Sequence, residues 1–361
     1  MKYPALLSIA DVLPQLDGYD TIIDVRSPSE FAEDHIPGAI NCPVLDDAER
    51  VEIGTMYKQV SPFDAKKKGA ALVSHNIGRH LQEALQDKPR DWKPLIYCWR
   101  GGNRSGAMAH VLARIGWPAV QLDGGYKEYR REVNQQLAEL PSRFRYIVVC
   151  GTTGSGKSRL LQTLARHDAQ VLDLEQLAAH RGSVLGHLPS EPQPSQKMFE
   201  SRLWQALRHF DPARPVYIES ESKKVGNLRV PEALMECMRA SECVSVQLSQ
   251  QDRVQLLMED YAHFVDAPAA LNAQLDCLVV RYGREKIDHW HKMALTGEMS
   301  PLVEELLAEH YDPAYLKSIS RNFSRFDDAL VLDIPGVSGQ AFDDAAVRLL
   351  TAKSDQEAIE G

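Results

Sequence analysis

No stretch of the chain approaches the roughly 18 consecutive apolar residues of a membrane-spanning helix, and no C-x-x-C pair is present to suggest structural zinc. Cysteine is scarce: six residues, at 42, 98, 150, 237, 243 and 277, are too few and too irregularly spaced for a disulfide scaffold. An excess of positive charge is also missing. Forty-one basic against 50 acidic side chains leave a net charge of −9, which excludes holding nucleic acid through overall charge but leaves local basic surfaces open. The 22 glycines and 20 prolines are scattered rather than periodic, so a fibrous or disordered chain is excluded as well. The opening stretch MKYPALLSIADVLPQL breaks its apolar run at Asp11 before any signal-peptide cleavage pattern, so a cytoplasmic protein with no membrane partner is expected.

What is present is enough chain, 361 residues, for two or three domains with cores of their own. Short apolar runs at Thr21–Val25, Leu95–Tyr97 and Val120–Leu122 read as strands, and Arg79–Leu85 and Ser105–Ile115 read as helices between them. That alternation predicts an α/β layer with a mostly parallel sheet. A charged helix ends near Pro141, and Tyr146–Cys150 opens a second alternating series. The expected domains are therefore 1–140 and 141–361. Beyond about residue 250 strand signals thin out, and segments such as Asp252–Phe264 and Pro301–His310 predict a mainly helical C-terminal part. Lys353–Gly361 reads as a frayed acidic tail.

Two loops carry chemistry. Cys98-Trp99-Arg100-Gly101-Gly102-Asn103-Arg104-Ser105-Gly106 follows an apolar strand and runs into a helix. Backbone N–H groups and a helix N-terminus around such a sulfur lower a thiol pKa and bind an anion, while Arg100 and Arg104 add positive charge. The expectation is a thiolate nucleophile in an oxyanion-binding bowl, with Cys98, Arg100 and Arg104 as its catalytic residues. Asp24-Val25-Arg26, Glu30-Phe31, His35-Ile36-Pro37-Gly38-Ala39-Ile40-Asn41 and Leu122-Asp123-Gly124-Gly125-Tyr126 resemble the motifs of rhodanese-like sulfurtransferases. The resemblance implies that Cys98 accepts a chalcogen atom. Cysteine phosphatases share the loop shape but lack the His-Ile-Pro-Gly-Ala segment.

The second loop, Gly151-Thr152-Thr153-Gly154-Ser155-Gly156-Lys157-Ser158, fits the phosphate-loop pattern G-x-x-x-x-G-K-[ST] between a strand and a helix. Its glycines let amides close on a phosphate chain, Lys157 neutralises charge, and Ser158 can ligate Mg²⁺. A diphosphate is what such a loop reads, so ATP, GTP and a prenyl diphosphate all remain open. Val171-Leu172-Asp173 and Val216-Tyr217-Ile218-Glu219 are strands ending in acids. In a doubly wound sheet Asp173 or Glu219 would face the ligand crevice and hold a metal or its waters; both also read as solvated strand ends. His180-Arg181-Gly182-Ser183 adds a basic side chain and a turn near the same crevice.

The ordered set Cys98–Gly102, Gly124-Gly125-Tyr126-Lys127, Gly151–Ser158, Asp173-Leu174-Glu175, His180–Ser183 and Glu219-Ser220-Glu221-Ser222 resembles the tRNA 2-selenouridine synthases, in which a rhodanese-like domain precedes a P-loop domain. That resemblance implies a selenotransferase and geranyltransferase: sulfur in wobble 2-thiouridine of tRNA is replaced by selenium, through S-geranylation with geranyl diphosphate and then selenation with selenophosphate supplied by selenophosphate synthase. Gly151 to Ser158, His180, Arg181 and Glu219 would bind the co-substrate, and Ser158 and Asp173 would hold Mg²⁺. The alternative is a sulfurtransferase fused to an ATP-dependent kinase or activating domain. For tRNA contacts the basic clusters Lys66-Lys67-Lys68, Arg130-Arg131, Lys223-Lys224 and the Arg281, Arg284, Lys286 segment are the candidates.

Overall fold

A computed structural model describes residues 3–182, 186 and 191–360, so Ser183 lies outside the described residues. The chain divides into two compact units. The first comprises Met1–Leu137 with Pro194–Gln205, the second Ala138–Gln193 with Ala206–Gly361. A boundary drawn at residue 140 in sequence order leaves out the segment 194–205. That segment belongs with the first unit because Trp204 packs edge-on against Tyr129, ring centroids 5.6 Å apart, and Glu200 pairs with Arg130.

The first unit is built on five parallel strands, β1 (Ala5–Leu7), β2 (Thr21–Asp24), β3 (Ile40–Asn41), β4 (Pro94–Tyr97) and β5 (Val120–Leu122), in the order β1-β5-β4-β2-β3. Parallel neighbours need crossovers, and helices Pro28–Glu33, Asp47–Gln59, Pro62–Gln82 and Asn103–Ile115 supply them. β4 is buried along its whole length, which is why its sequence is an unbroken apolar run rather than an alternating one. Ile23, Ile96, Met108 and Leu112 form the core, with Trp92 packed edge-on against Trp117.

The second unit repeats the plan with β6 (Tyr146–Cys150), β7 (Gln170–Leu172), β8 (Val216–Glu219), β11 (Glu242–Gln247) and β12 (Leu330–Asp333), all parallel, in the order β12-β11-β6-β8-β7. A two-stranded ribbon, β9 (Lys224–Val225) with β10 (Leu228–Arg229), stands apart from it. Between β11 and β12 lies the helical part expected from the sequence, its core made by Phe264, Leu275, Ile287, Trp290 and Leu302. It contains one π-helical turn, Leu307–Tyr311. The chain then returns to the sheet as β12 and closes with helix Gly339–Glu360, so the acidic end read as frayed is helical. All six cysteines are free and four are buried. Among the described residues no helix is long and apolar enough to cross a membrane.

Both sheets put their chemistry at one edge. Asp24, Cys98 and the Gly124-Gly125 turn follow the C-terminal ends of β2, β4 and β5, while the phosphate loop, Asp173 and Glu219 stand at those of β6, β7 and β8. Ligand crevices of open parallel sheets form at such edges.

Candidate functional site

The Cys98 loop is shaped by close backbone packing. Gly101 and Gly125 both have positive φ, +64° and +57°, and a Cβ on Gly125 would lie 2.2 Å from Cys98 O and 2.5 Å from Gly101 N. Tyr126 N–H donates to Cys98 O at 2.8 Å, Lys127 N–H to Trp99 O at 3.0 Å, and the Gln121 amide to Gly101 O at 2.6 Å. The loop is thereby seated on the β5 turn.

Cys98 itself is 4% exposed. Among the described residues the hydrogen bond to its sulfur comes from Ser105 Oγ, at 3.2 Å, rather than from the ring of amides expected from the loop pattern. Ser105 sits in the first turn of helix Asn103–Ile115. That helix starts at Gly102 without a side-chain cap, so its positive end stays open beside the loop. Arg100 is exposed. Arg104 is engaged, its Nη1 2.9 Å from Glu30 Oε2. Burial works against the Glu30 carboxylate, but the hydrogen bond and charge of Arg104 outweigh it and leave its pKa below the usual value.

Below the loop, the Asp24-Val25-Arg26 motif makes a buried ion pair, Arg26 Nη2 to Asp24 Oδ2 at 2.6 Å with exposures of 1% and 0%. The guanidinium also donates to Asp34 O and stacks 3.9 Å from the Tyr126 ring centre. The His-Ile-Pro-Gly-Ala-Ile-Asn segment is a staple: Ile36 N–H donates to Tyr97 OH, and the Asn41 amide donates to the carbonyls of Asp24 and Arg26. These motifs therefore hold the strand ends that carry the loop.

In the second unit the phosphate loop needs its glycines. Gly154 and Gly156 have φ of +77° and +84°, and a Cβ on Gly156 would meet Phe342 at 2.6 Å. Lys157 Nζ turns back to Gly151 O at 2.7 Å. Two links from the helical region brace the loop. Gly151 N–H donates to Tyr315 OH at 2.6 Å, and Arg253 donates through Nε and Nη2 to Thr153 O while paired with Asp312 at 2.6 Å.

Carboxylates crowd the adjoining strand ends. Ser158 Oγ donates to Glu175 Oε2 at 3.0 Å, Glu175 N–H donates to Glu219 Oε1 at 2.7 Å, and Asp173 caps the next helix by accepting from Gln176 N–H. Burial, with Glu221 nearby, pushes the Glu175 carboxyl up to about 8. Burial together with Asp173 and Glu175 holds Glu219 well above the carboxylate range, and burial raises Asp173 and Glu221 also. Glu219 is 2% exposed and its Oε2 has no hydrogen-bond partner among the described residues. Glu219 is buried, Asp173, Glu175 and Glu221 are half-buried, and Lys157 acts on Glu175 and Glu221, so the cluster favours added positive charge. His180 is buried and accepts from Gly182 N–H; Arg181 donates to Asp260 O and lies 4.6 Å from the Tyr261 ring centre.

These groups surround a cavity of about 600 Å³ lined by Thr153, Gly154, Gly156, Lys157, Ser158, Asp173, Glu175, His180 and Arg181 together with leucines and tyrosines of the helical region. Glu219, expected to bind the co-substrate, is buried and is not among the residues that line this cavity. Sequence reasoning missed Ser105, the bracing residues Arg253, Asp312 and Tyr315, and any role for Glu175, although Glu175 stood in a quoted motif.

The basic clusters are mostly occupied. Lys67 pairs with Asp64, Lys68 with Glu52, Arg131 with Glu128, Lys223 with Glu232, Arg284 with Asp276, and Lys286 with Glu305 and Glu309. Arg130 is 11% exposed between Glu200 and Asp34 and does not offer its charge to solvent. Acid partners compete with phosphates for such side chains, so charge runs in the sequence overstate the free positive surface.

Residues 144–328 match the family model described as the tRNA 2-selenouridine synthase AAA domain, and residues 8–132 match the rhodanese-like domain. A tRNA 2-selenouridine synthase from Shewanella denitrificans is 33% identical over 337 residues, spanning 84% of this chain and 89% of that protein. The chain belongs to the tRNA 2-selenouridine synthase family. Another member, from Nitrosomonas europaea, is 36% identical over 244 residues, 66% of this chain and 63% of its own length. Among solved structures, the N-terminal domain of a putative ATP/GTP binding protein from Clostridium difficile 630 is 38% identical, covering 36% of this chain and 98% of that one with a TM-score of 0.31. Membership in the 2-selenouridine synthase family makes the chain an enzyme of the transferase class.

Proposed function

We propose that this enzyme replaces sulfur by selenium at wobble 2-thiouridine of tRNA, with geranyl diphosphate and selenophosphate as co-substrates. The observation that carries the reading is the make-up of the phosphate-loop cavity. Lys157 and the glycine-rich loop form one wall, and Leu256, Leu257, Tyr261 and Tyr315 form another, which suits a diphosphate with an apolar substituent.

In the first step the thiouridine sulfur attacks the allylic carbon, and the C–O bond breaks with its electron pair leaving on pyrophosphate. Lys157 and the loop amides stabilise that leaving charge. Ser158, Asp173 and Glu175 would hold Mg²⁺ at the same edge, where a Glu219 oxygen has no hydrogen-bond partner among the described residues, and the ion would supply further positive charge to the leaving pyrophosphate. In the second step the Cys98 thiolate attacks C2 of the geranylated base, and geranyl thiolate, a better leaving group than the unalkylated sulfur, departs with the C–S electron pair. The selenium of selenophosphate, supplied by selenophosphate synthase and already at the selenide level, then displaces Cys98 from C2, and water cleaves the P–Se bond to release phosphate. The Ser105 hydroxyl orients the sulfur, and Arg100 offers charge to the incoming donor.

Mass analysis of nucleosides from 2-thiouridine tRNA tests this directly. With Cys98→Ser, geranylated nucleoside accumulates and selenouridine is lost. With Lys157→Ala or Ser158→Ala neither product forms, and pre-geranylated tRNA restores selenation. Selenouridine formation by Cys98→Ser at a comparable rate, or product formation driven by ATP without geranyl diphosphate, overturns the reading.

A further inference from the structure

A second, smaller cavity of about 60 Å³ abuts the phosphate-loop cavity within the same unit, and Thr153, Leu257, Tyr261 and Tyr311 line both. Its walls come from helices Gln250–Asp260, Ala262–Asp266, Pro268–Leu275 and Met299–Leu306 and from the π-helical turn Leu307–Tyr311, with Thr153 from the phosphate loop. Apart from Thr153 and the two tyrosines, every lining residue is leucine, valine, methionine or phenylalanine. Such a slot gives a water molecule almost nothing to hydrogen-bond, and a nucleobase, with its polar edges, is no better served. A hydrocarbon chain loses nothing there.

We infer that this slot seats the far end of the isoprenoid chain whose diphosphate lies on the phosphate loop, and that Val303 and Val265 at its wall limit the length of chain accepted. The inference rests on the reading that the loop holds an allylic diphosphate, and it adds the residues that recognise the tail. Size and continuity support it. The slot is small beside the ~150 Å³ that admits benzene, so it takes a chain end rather than a whole chain. The remainder of a two-unit isoprenoid fits the larger cavity, passing Tyr261 and Tyr311. Their π faces favour the positive charge that develops at an allylic carbon as its C–O bond breaks. The π-helical turn carries Tyr311 to the junction; such turns recur at ligand sites.

Calorimetric titration of the full-length protein with inorganic pyrophosphate, dimethylallyl diphosphate and geranyl diphosphate tests it. The wild type binds geranyl diphosphate more than about tenfold more tightly than dimethylallyl diphosphate, since the second isoprene unit buries several more carbons. Val303→Trp, at a half-buried position, fills the slot: geranyl affinity drops to the dimethylallyl level while pyrophosphate affinity is unchanged. Val265→Asp, at a position 39% exposed, puts a charge at the slot without disturbing the core and lowers geranyl affinity in the same selective way. Equal effects on geranyl diphosphate and pyrophosphate in both variants, or no effect on either, overturn the slot while leaving the loop reading intact. Absence of geranyl diphosphate binding by the wild type, with pyrophosphate still bound, overturns the loop reading and the slot with it.

Discussion

Gly125→Ala puts the Cys98 architecture to its sharpest test. The new Cβ would sit 2.2 Å from Cys98 O, 2.5 Å from Gly101 N and 3.1 Å from Arg100 N, all of them backbone atoms with no flexible end to swing aside. The residue is also held at φ +57°, where a Cβ costs roughly 1–2 kcal/mol, and overlap in a packed site typically costs about 1–3 more. A loss on the order of 3 kcal/mol in the stability of the first unit follows. The cheapest relief moves residues 98–101 outward by about 1 Å, the shortfall against ordinary contact, at the expense of the hydrogen bonds from Tyr126 and Lys127. A misplacement of that size costs on the order of 100-fold in rate. The assay is selenouridine formation from pre-geranylated tRNA, with urea unfolding alongside and Gly18→Ala as control, since nothing lies within 4 Å of a Cβ there. A Gly125→Ala protein with near-wild-type stability and selenation rate would refute the reasoning.

Two further outcomes follow from buried charge. Arg26→Ala strands the Asp24 carboxylate, 0% exposed, without its partner and lowers stability by about 3–5 kcal/mol; a urea midpoint close to wild type contradicts this. Glu175, pushed up to about 8, keeps its proton in the folded unit at pH values where the unfolded chain, titrating near 4.5, has released it. Its contribution is therefore full below about pH 4.5 and is lost as pH rises through about 8, so in chelator the melting temperature falls over that window and Glu175→Gln flattens the fall. Identical slopes for the two proteins sink the assignment.

The strands buried along their whole length were the plainest in the sequence. β4 and β6 announce themselves as apolar runs ending in a chemical motif, and both active loops are contiguous in sequence, so Cys98 and Gly151–Ser158 can be read directly. β12 escaped notice because it is an edge strand with Leu330 and Val331 exposed, reached only after the long helical excursion. Arg253, Asp312 and Tyr315 were illegible for a different reason. Each matters through a tertiary contact, and Tyr315 meets Gly151 across 164 residues, a distance no local pattern encodes. Ser105 reads as an ordinary helix-start serine until the sulfur is seen beside it. The charge clusters erred the other way, since sequence shows the cation and hides the acid that pairs with it.

The return of residues 194–205 to the first unit imposes an order on synthesis. When the ribosome has made residue 137, Arg130 still lacks Glu200 and the carbonyl of Lys197, and Tyr129 lacks the ring of Trp204. At the usual ~5–20 residues per second, several seconds pass before that segment exists. The rhodanese-like unit thus waits, incomplete, while the phosphate loop is being translated. A fragment cut at the apparent domain boundary would remain in that unfinished state for good.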